Sequence, residues 1–401
     1  MVRDNKKYLF IFAAFTIGLC GSFFYPLSSL FLVEELNASP MMLSLYMILS
    51  VGSSVIVSQF IAKRSDTHWS RKTILVAALS GNFIMVLSFT VIRDYWTAVT
   101  IAVVFGSISG AAFGQLFALG REYGDKYVAN STSFLSTMRA GLAIAWVFGP
   151  PMAFMLKAQF GYSASFALSA LTVFIGLLVI AKYIPDEVVS KEEKIEAVSN
   201  KKSVGGLVVL YCVAMVCVFS ANTLYITSIP LYLSQELKVD VSWLGLLFGM
   251  AAACEIPVML TAGKMAEKVG TVRIMILSVV SGAVFYLVML SSTTFGAMLA
   301  AQLLNGFFIG ICATLGMVAL QDMMKDQLGT ASTLFSNMMS ISVLVSSLAI
   351  GVVGEIFDYY SALYFSFTGV VIAVGLLIVF ERLEKKQRIE EALRLQSVVD
   401  K

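Results

Sequence analysis

The 401-residue sequence predicts an all-α membrane protein, with twelve transmembrane helices in two pseudo-symmetric six-helix bundles. Three observations carry that expectation. First, hydrophobic residues make up 58% of the chain and charged residues 13%, with a mean hydropathy of +0.86. A soluble domain carries about 25% charged residues, so too little charge is present to coat a water-soluble globule. Disorder, a collagen-like rod and a disulfide scaffold are excluded by the same figures. Second, charge-free runs of at least 20 residues recur, at Tyr8 up to Glu34, Thr73–Ile92, Tyr95–Gly120, Ala158–Ala181 and Tyr359–Phe380. About 20 apolar residues in a helix cross a hydrocarbon core about 30 Å thick, whereas barrel strands alternate over about 10 residues. Third, the basic residues are unevenly spread along the chain.

Taken in order, span 1 (8–33) follows the basic residues 1–7, and its 26 apolar residues exceed a signal-peptide core, so it is expected to stay uncleaved as an anchor. Spans 2–6 follow at 41–62, 73–92, 95–120, 130–156 and 161–183. Loop 185–203 is the longest polar stretch inside the chain, with Lys191-Glu192-Glu193-Lys194 at its centre, and reads as a solvated linker. Spans 7 and 8 are placed at 204–234 and 241–262. Ile274–Gln321 contains 48 residues without a charge, room for spans 9 and 10 (273–291 and 294–321) around a Ser291-Ser292-Thr293-Thr294 turn. Spans 11 and 12 complete the set at 329–354 and 359–381. The expected domains are therefore 1–184, a linker 185–203, 204–381 and a charged tail 382–401.

With the N-terminus inside, 24 of the 28 Lys and Arg fall on the cytoplasmic side. Only Arg93, Lys157 and Lys238 fall outside, and Arg139 lies within a span. This asymmetry predicts that both termini are cytoplasmic. The five cysteines, Cys20, Cys212, Cys217, Cys254 and Cys312, all lie in spans, none in a C-x-x-C pair, and read as small apolar packers.

The halves repeat at an offset of 201: Glu35-Leu36 matches Glu236-Leu237, Asp66 matches Glu267, Ser131-Thr132 matches Ser332-Thr333, and Phe134 matches Phe335. Gly106 and Gly110 match Gly306 and Gly310 at an offset of 200. Repeated six-span halves predict a substrate site near the midplane between them, exposed alternately as the halves rock. In the loop after span 8, Gly263, Glu267, Lys268 and Gly270 fit a G-x-x-x-[DE]-[RK]-x-G pattern, with Arg273 after it. The equivalent loop retains Asp66 and Arg71 but has Ala62 in place of the first glycine. An acid at a helix end beside basic residues can pair with neighbouring helix ends. Asp66, Arg71, Gly263, Glu267, Lys268 and Arg273 are therefore expected to form a conformational latch.

An ionisable group at membrane depth is costly and marks function by default. Arg139 lies about 14 Å into span 5 from the cytoplasm, and Glu255 about 20 Å into span 8 from outside, by helical rise. These depths agree, and the fold that the repeat implies makes spans 5 and 8 neighbours across the gap between the halves, so Glu255 is expected to carry a proton with Arg139 as its partner. Glu122, at the cytoplasmic end of span 4, is a second possible partner for Arg139. Asn222, Asn305 and Asn337 are expected to meet substrate hydroxyls, because amides both donate and accept. Asn82 and Gln302 read instead as bonds between helices. Tyr25, Trp146 and Tyr225 are expected to stack on an apolar ligand face. No Lys-Ser/Thr follows a glycine run, so nothing supports ATP drive. His68 is the sole histidine, no catalytic set converges, and neither a metal nor a cofactor is expected.

Five segments carry a specific resemblance: Arg121-Glu122-Tyr123-Gly124-Asp125; Arg139 with Trp146 and Gly149-Pro150-Pro151; Glu255-Ile256-Pro257; Asn305-Gly306 with Ile309-Gly310; and Gln321-Asp322 leading to Thr333-Leu334-Phe335-Ser336-Asn337. Together they resemble the bacterial sugar efflux transporter family of the major facilitator superfamily, over essentially the whole chain. The resemblance implies the major facilitator fold, a bacterial inner-membrane location and proton-driven export of lactose, glucosides and thiogalactosides. The Glu122/Arg139 arrangement also resembles the acid–arginine pair that lactose permease uses for galactoside hydroxyls, which makes Arg139 a sugar ligand or a partner of Glu255. Two departures are visible: Gly149-Pro150-Pro151 lacks the trailing glycine of the superfamily's antiporter signature, and span 4 lacks its buried arginine. Expected partners are a small sugar or glycoside, protons and the bilayer, with no nucleic acid, and the chain is expected to be a monomer. The alternatives are an exporter of amphipathic drugs and a sensor without solute flux; an enzyme is not expected.

Overall fold

Twelve helices long and apolar enough to cross a membrane succeed one another in the computed structural model, which describes residues 6–65, 70–128, 131–184, 205–324 and 328–399. They are α1 (Lys6–Glu34), α2 (Pro40–Ser65), α3 (Arg71–Phe89), α4 (Tyr95–Tyr127), α5 (Ser131–Phe160), α6 (Tyr162–Tyr183), α7 (Gly206–Glu236), α8 (Val241–Val269), α9 (Thr271–Ser291), α10 (Phe295–Met323), α11 (Leu328–Ile356) and α12 (Ser361–Val399). Each contains one of the spans read from the sequence or overlaps it closely. The helices α4, α8 and α12 continue beyond membrane length into charged sequence, through Glu122, Glu267 and the tail respectively.

Helix starts and stops follow local chemistry. Ser70 caps α3 by accepting from the Thr73 amide, and Asp94 caps α4 by accepting from the amide and hydroxyl of Thr97. Those two bonds from Thr97, the amide first, hold the Asp94 carboxyl below its ordinary value. The repeat is visible in backbone detail where α1 and α7 end. Leu36 N–H donates to Phe31 O and Ala38 N–H to Leu32 O; 201 residues later Leu237 N–H donates to Tyr232 O and Val239 N–H to Leu233 O. Both turns need one left-handed residue, Asn37 and Lys238, each at φ 52°. Asn tolerates that region, whereas for lysine it costs about 1–2 kcal/mol. Lys238→Gly is expected to raise the melting temperature by about 1–3 °C, and a thermal melt in detergent that shows no rise would contradict it.

α4 is not one regular helix. It is α-helical over Tyr95–Ile101, takes a π turn over Ala102–Gly106, resumes at Ser107–Ser109, and breaks at Gly110-Ala111 before Ala112–Tyr127. Its repeat counterpart α10 is continuous. A β-carbon at Gly110 would run into Ser54 of α2, so the glycine is where α2 presses on the break.

Contacts group the chain into two units. One comprises Met1–Val198 with Ile226–Ala253 and Ser347–Tyr360; the other comprises Ser199–Tyr225, Cys254–Ser346 and Ser361–Lys401. In the first, α1 packs on α5 and α6, and α3 on α6. Phe24, Phe31, Phe89 and Phe166 meet tilted or edge to face at 5.0–5.8 Å, a favoured aromatic geometry. The end of α1 at Glu34 lies on the face opposite its start, the far face. The far-face ends of α7, α8 and α11 belong to this same unit. Small residues allow that approach: β-carbons at Gly245 and Gly354 would lie 2.6 Å from Pro150 O and 2.9 Å from Pro40 Cβ.

In the second unit α9 packs on α10 and α12. The Tyr211 hydroxyl donates to Gly316 O at 2.8 Å, and the ring of Phe308 seats directly on Gly282.

Candidate functional site

The ionisable candidates of the first unit sit where α3, α4 and α5 meet. Phe10 of α1 stacks on Tyr123 at 4.9 Å and meets Phe134 edge-on at 5.9 Å, fixing the end of α4 against α1 and α5. Glu122, next to Tyr123, receives Arg71 Nε on Oε1 at 2.6 Å. Its Oε2 is buried and has no hydrogen-bond partner among the described residues. Arg139 is exposed, with its guanidinium 5.8 Å from the centre of the Phe117 ring, and no carboxylate lies within ion-pair distance among the described residues. The structure thus gives Glu122 to Arg71 and leaves Arg139 exposed over the ring of Phe117. An exposed contact of that kind contributes about 0.5–1 kcal/mol.

Glu255 is half-buried in α8, in the second unit. Its position is set by Gly306 and Gly310 of α10: β-carbons there would lie 2.9 Å from Glu255 N and 3.2 Å from Glu255 O. The glycine pair brings α10 backbone onto the backbone of the acid. Among the described residues its carboxylate has no ion-pair partner. Arg139 and Glu255 belong to different units.

The amides and rings separate into two groups. Asn305 Nδ2 donates to Gln302 Oε1 at 3.1 Å, and Gln302 Nε2 donates to the Tyr225 hydroxyl at 3.1 Å. Asn305 and Tyr225 are buried, with Tyr225 packed on Phe285 and Tyr286. Tyr225, expected from the sequence to stack on a ligand, is 1% exposed. Its ring packs on Phe285 and Tyr286 of α9 and its hydroxyl accepts from Gln302 of α10. Asn222 is half-buried and Asn337 exposed. Tyr25 and Trp146 instead line an open cavity of about 250 Å³ in the first unit, together with Asn82.

Of the expected latch residues, Asp66 lies outside the described residues, as does His68. Arg71 pairs with Glu122, and Arg273 Nε bonds Glu381 Oε1 of α12 at 2.9 Å. Gly263, Glu267 and Lys268 are exposed. Gly270 adopts φ 96° at the start of α9, which accounts for the second glycine of that pattern.

Sequence reasoning missed Glu34, which lies at the edge of span 1. Glu34 Oε2 accepts from Lys157 Nζ at 2.9 Å and from the Tyr162 hydroxyl at 2.6 Å, and Oε1 accepts from Ser234 Oγ at 2.5 Å. It therefore joins α1, α5, α6 and the far end of α7. The signal available was Lys157, one of only three basic residues on that side of the membrane. All five cysteines are free, and no group of three or more His, Cys, Asp or Glu converges among the described residues.

Two sets of six helices long and apolar enough to cross a membrane, repeated in sequence and in turn geometry, define a polytopic membrane protein. The Major Facilitator Superfamily model matches residues 10–211 and 210–397. Sugar efflux transporter A of Dickeya chrysanthemi is 35% identical over 378 residues, 93% of this chain and 93% of that protein. Sugar efflux transporter A of Escherichia coli (strain K12) is 34% identical over 364 residues, 90% of this chain and 92% of that one. The chain belongs to the sugar efflux transporters of the Major Facilitator Superfamily. Among solved structures, a point mutant of the nucleoside transporter NupG superposes with a TM-score of 0.80, covering 94% of this chain and 100% of that one at 11% identity. A bacterial homologue of the iron transporter ferroportin in its inward-facing state gives 0.73, over 95% and 99% at 15% identity. These likenesses establish the shared fold.

Proposed function

We propose that this chain exports sugars or glycosides, such as lactose, glucosides and thiogalactosides, from the bacterial cytoplasm in exchange for protons, by alternating access. The observation that carries the reading is identity of 30–35% to three named sugar efflux transporters over at least 90% of this chain. The protein sits in the cytoplasmic membrane with both termini inside, as the placement of 24 of 28 basic residues supports. Glu255 carries the proton. Arg139 is a sugar ligand, since it is exposed with no carboxylate within ion-pair distance among the described residues. Tyr25 and Trp146 supply stacking faces.

The test uses inverted membrane vesicles with an imposed pH gradient, acidic inside, and radiolabelled lactose or a thiogalactoside outside. Sugar accumulation that collapses with a protonophore is the expected result. Proton-linked movement of a lipophilic cation without any sugar flux would replace this reading with drug export.

A further inference from the structure

We propose that Asn82 and the broken segment of α4 form a hydroxyl-binding subsite that holds one sugar ring, a deepening that rests on the sugar-export reading above. The cavity that Tyr25 and Trp146 line is also lined by Asn82 of α3 and by Ser109, Gly110 and Phe113 of α4. Its volume of about 250 Å³ is below the ~300–1,000 Å³ of sites for drug-sized ligands and suits a single ring.

Two independent features single out this wall. The first is the Asn82 amide. Among the described residues its only hydrogen bond runs from Nδ2 to Cys20 Sγ at 3.7 Å, and a thiol sulfur is a weak acceptor. The amide therefore keeps donor and acceptor capacity toward the cavity. A residue serving only to tie α3 to α1 would be expected to find an oxygen. The second is the break in α4. The turn at Gly110-Ala111 interrupts the helix at the cavity wall, following the π turn at Ala102–Gly106 along the same helix, while α10, at the equivalent place in the repeat, is continuous. Irregular backbone at membrane depth is tolerated where it lines a cavity, and π turns concentrate at functional sites. Ser109 Oγ already donates to Gly106 O at 2.7 Å, leaving its lone pairs as acceptors. A pyranose presents an apolar C–H face and a rim of hydroxyls. The face suits Tyr25 and Trp146, and the rim suits Asn82 and Ser109.

The experiment uses the full-length protein in proteoliposomes, with lactose and its monodeoxy analogues as probes. Asn82→Ala is expected to raise the lactose KM about tenfold, the equivalent of one hydrogen bond, with Vmax within about twofold. One deoxy analogue should show the same loss with wild type and no further loss with Asn82→Ala. An unchanged KM in Asn82→Ala overturns the subsite while leaving sugar export intact. Wild-type vesicles that carry no sugar at all bring down the export reading, and the subsite with it. If Asn82→Ala fails to reach the membrane, a W69F/W96F/W243F variant leaves Trp146 as the only tryptophan. A saturable change in its emission with lactose is expected, and its absence in a variant that still transports overturns the proposal.

Discussion

Glu255→Gln is expected to abolish gradient-driven sugar accumulation, while sugar-for-sugar exchange without a gradient survives. The argument is one of charge at depth. A charged side chain near the centre of a membrane helix costs about 2.5–3.5 kcal/mol on insertion scales. Gly306 and Gly310 hold the backbone of Glu255 against α10, so the acid cannot easily swing its attachment point toward water. Among the described residues the carboxylate has no ion-pair partner to hold it. If Glu255 is the proton carrier proposed above, each crossing of the cycle is tied to its taking up or releasing a proton. Glutamine has the shape of the protonated acid but cannot release a proton, so the carrier can still shuttle loaded with sugar and cannot use the gradient. Parallel measurements of gradient-driven uptake and of equilibrium exchange in the same vesicles separate the two effects. Uptake that keeps its gradient dependence in Glu255→Gln would move the proton site elsewhere, with Glu122 the next to replace.

The membrane architecture was legible because its signals are long and cumulative. Runs of 20 or more apolar residues and the segregation of lysine and arginine each average over many positions. The repeat was also legible, and the left-handed Asn37 and Lys238 at φ 52° show that an offset of 201 reaches down to single torsion angles. The cavity wall was harder to read. Nothing in Ala102–Gly106 announces a π turn, since the glycine spacing of α4 also occurs in the unbroken α10. Asn82 read as a helix tie, because a lone amide in an apolar span gives no indication of which neighbour it will meet. Tyr225 read as a ligand ring because burial within a bundle depends on partners far away in sequence, here Phe285, Tyr286 and Gln302. Glu34 was passed over for a different reason. It ends a charge-free run, where a carboxylate reads as ordinary solvated helix-end charge.

Gly245→Val is expected to weaken closure of the far face and to slow transport by about 5- to 150-fold, the equivalent of an overpacking penalty of about 1–3 kcal/mol. Pro150 and Pro151 lack N–H groups, so the carbonyls of Trp146 and Val147 lose their helical donors. Helix α8 lays glycines against that stretch: a β-carbon at Gly249 would lie 2.8 Å from Val147 O, and one at Gly245 only 2.6 Å from both Pro150 O and Pro151 Cα. These are backbone atoms, which cannot rotate away as a side chain would. The freed carbonyls and the bare glycine Cα–H groups fit each other and allow a close approach that any side chain would hold open. Glu34 adds a polar tie in the same layer through Ser234 of α7, so Glu34→Ala should loosen closure in the same direction by losing a charge-assisted bond. If the protein cycles by alternating access with this face outside, both variants should increase the labelling of Ser44→Cys by a membrane-impermeant maleimide in a background lacking the native cysteines. Ser44 is buried where Gly351 of α11 meets α2, so its labelling directly reports separation of that layer. Transport and labelling rates equal to those of the parent in Gly245→Val would show that this contact does not govern the cycle.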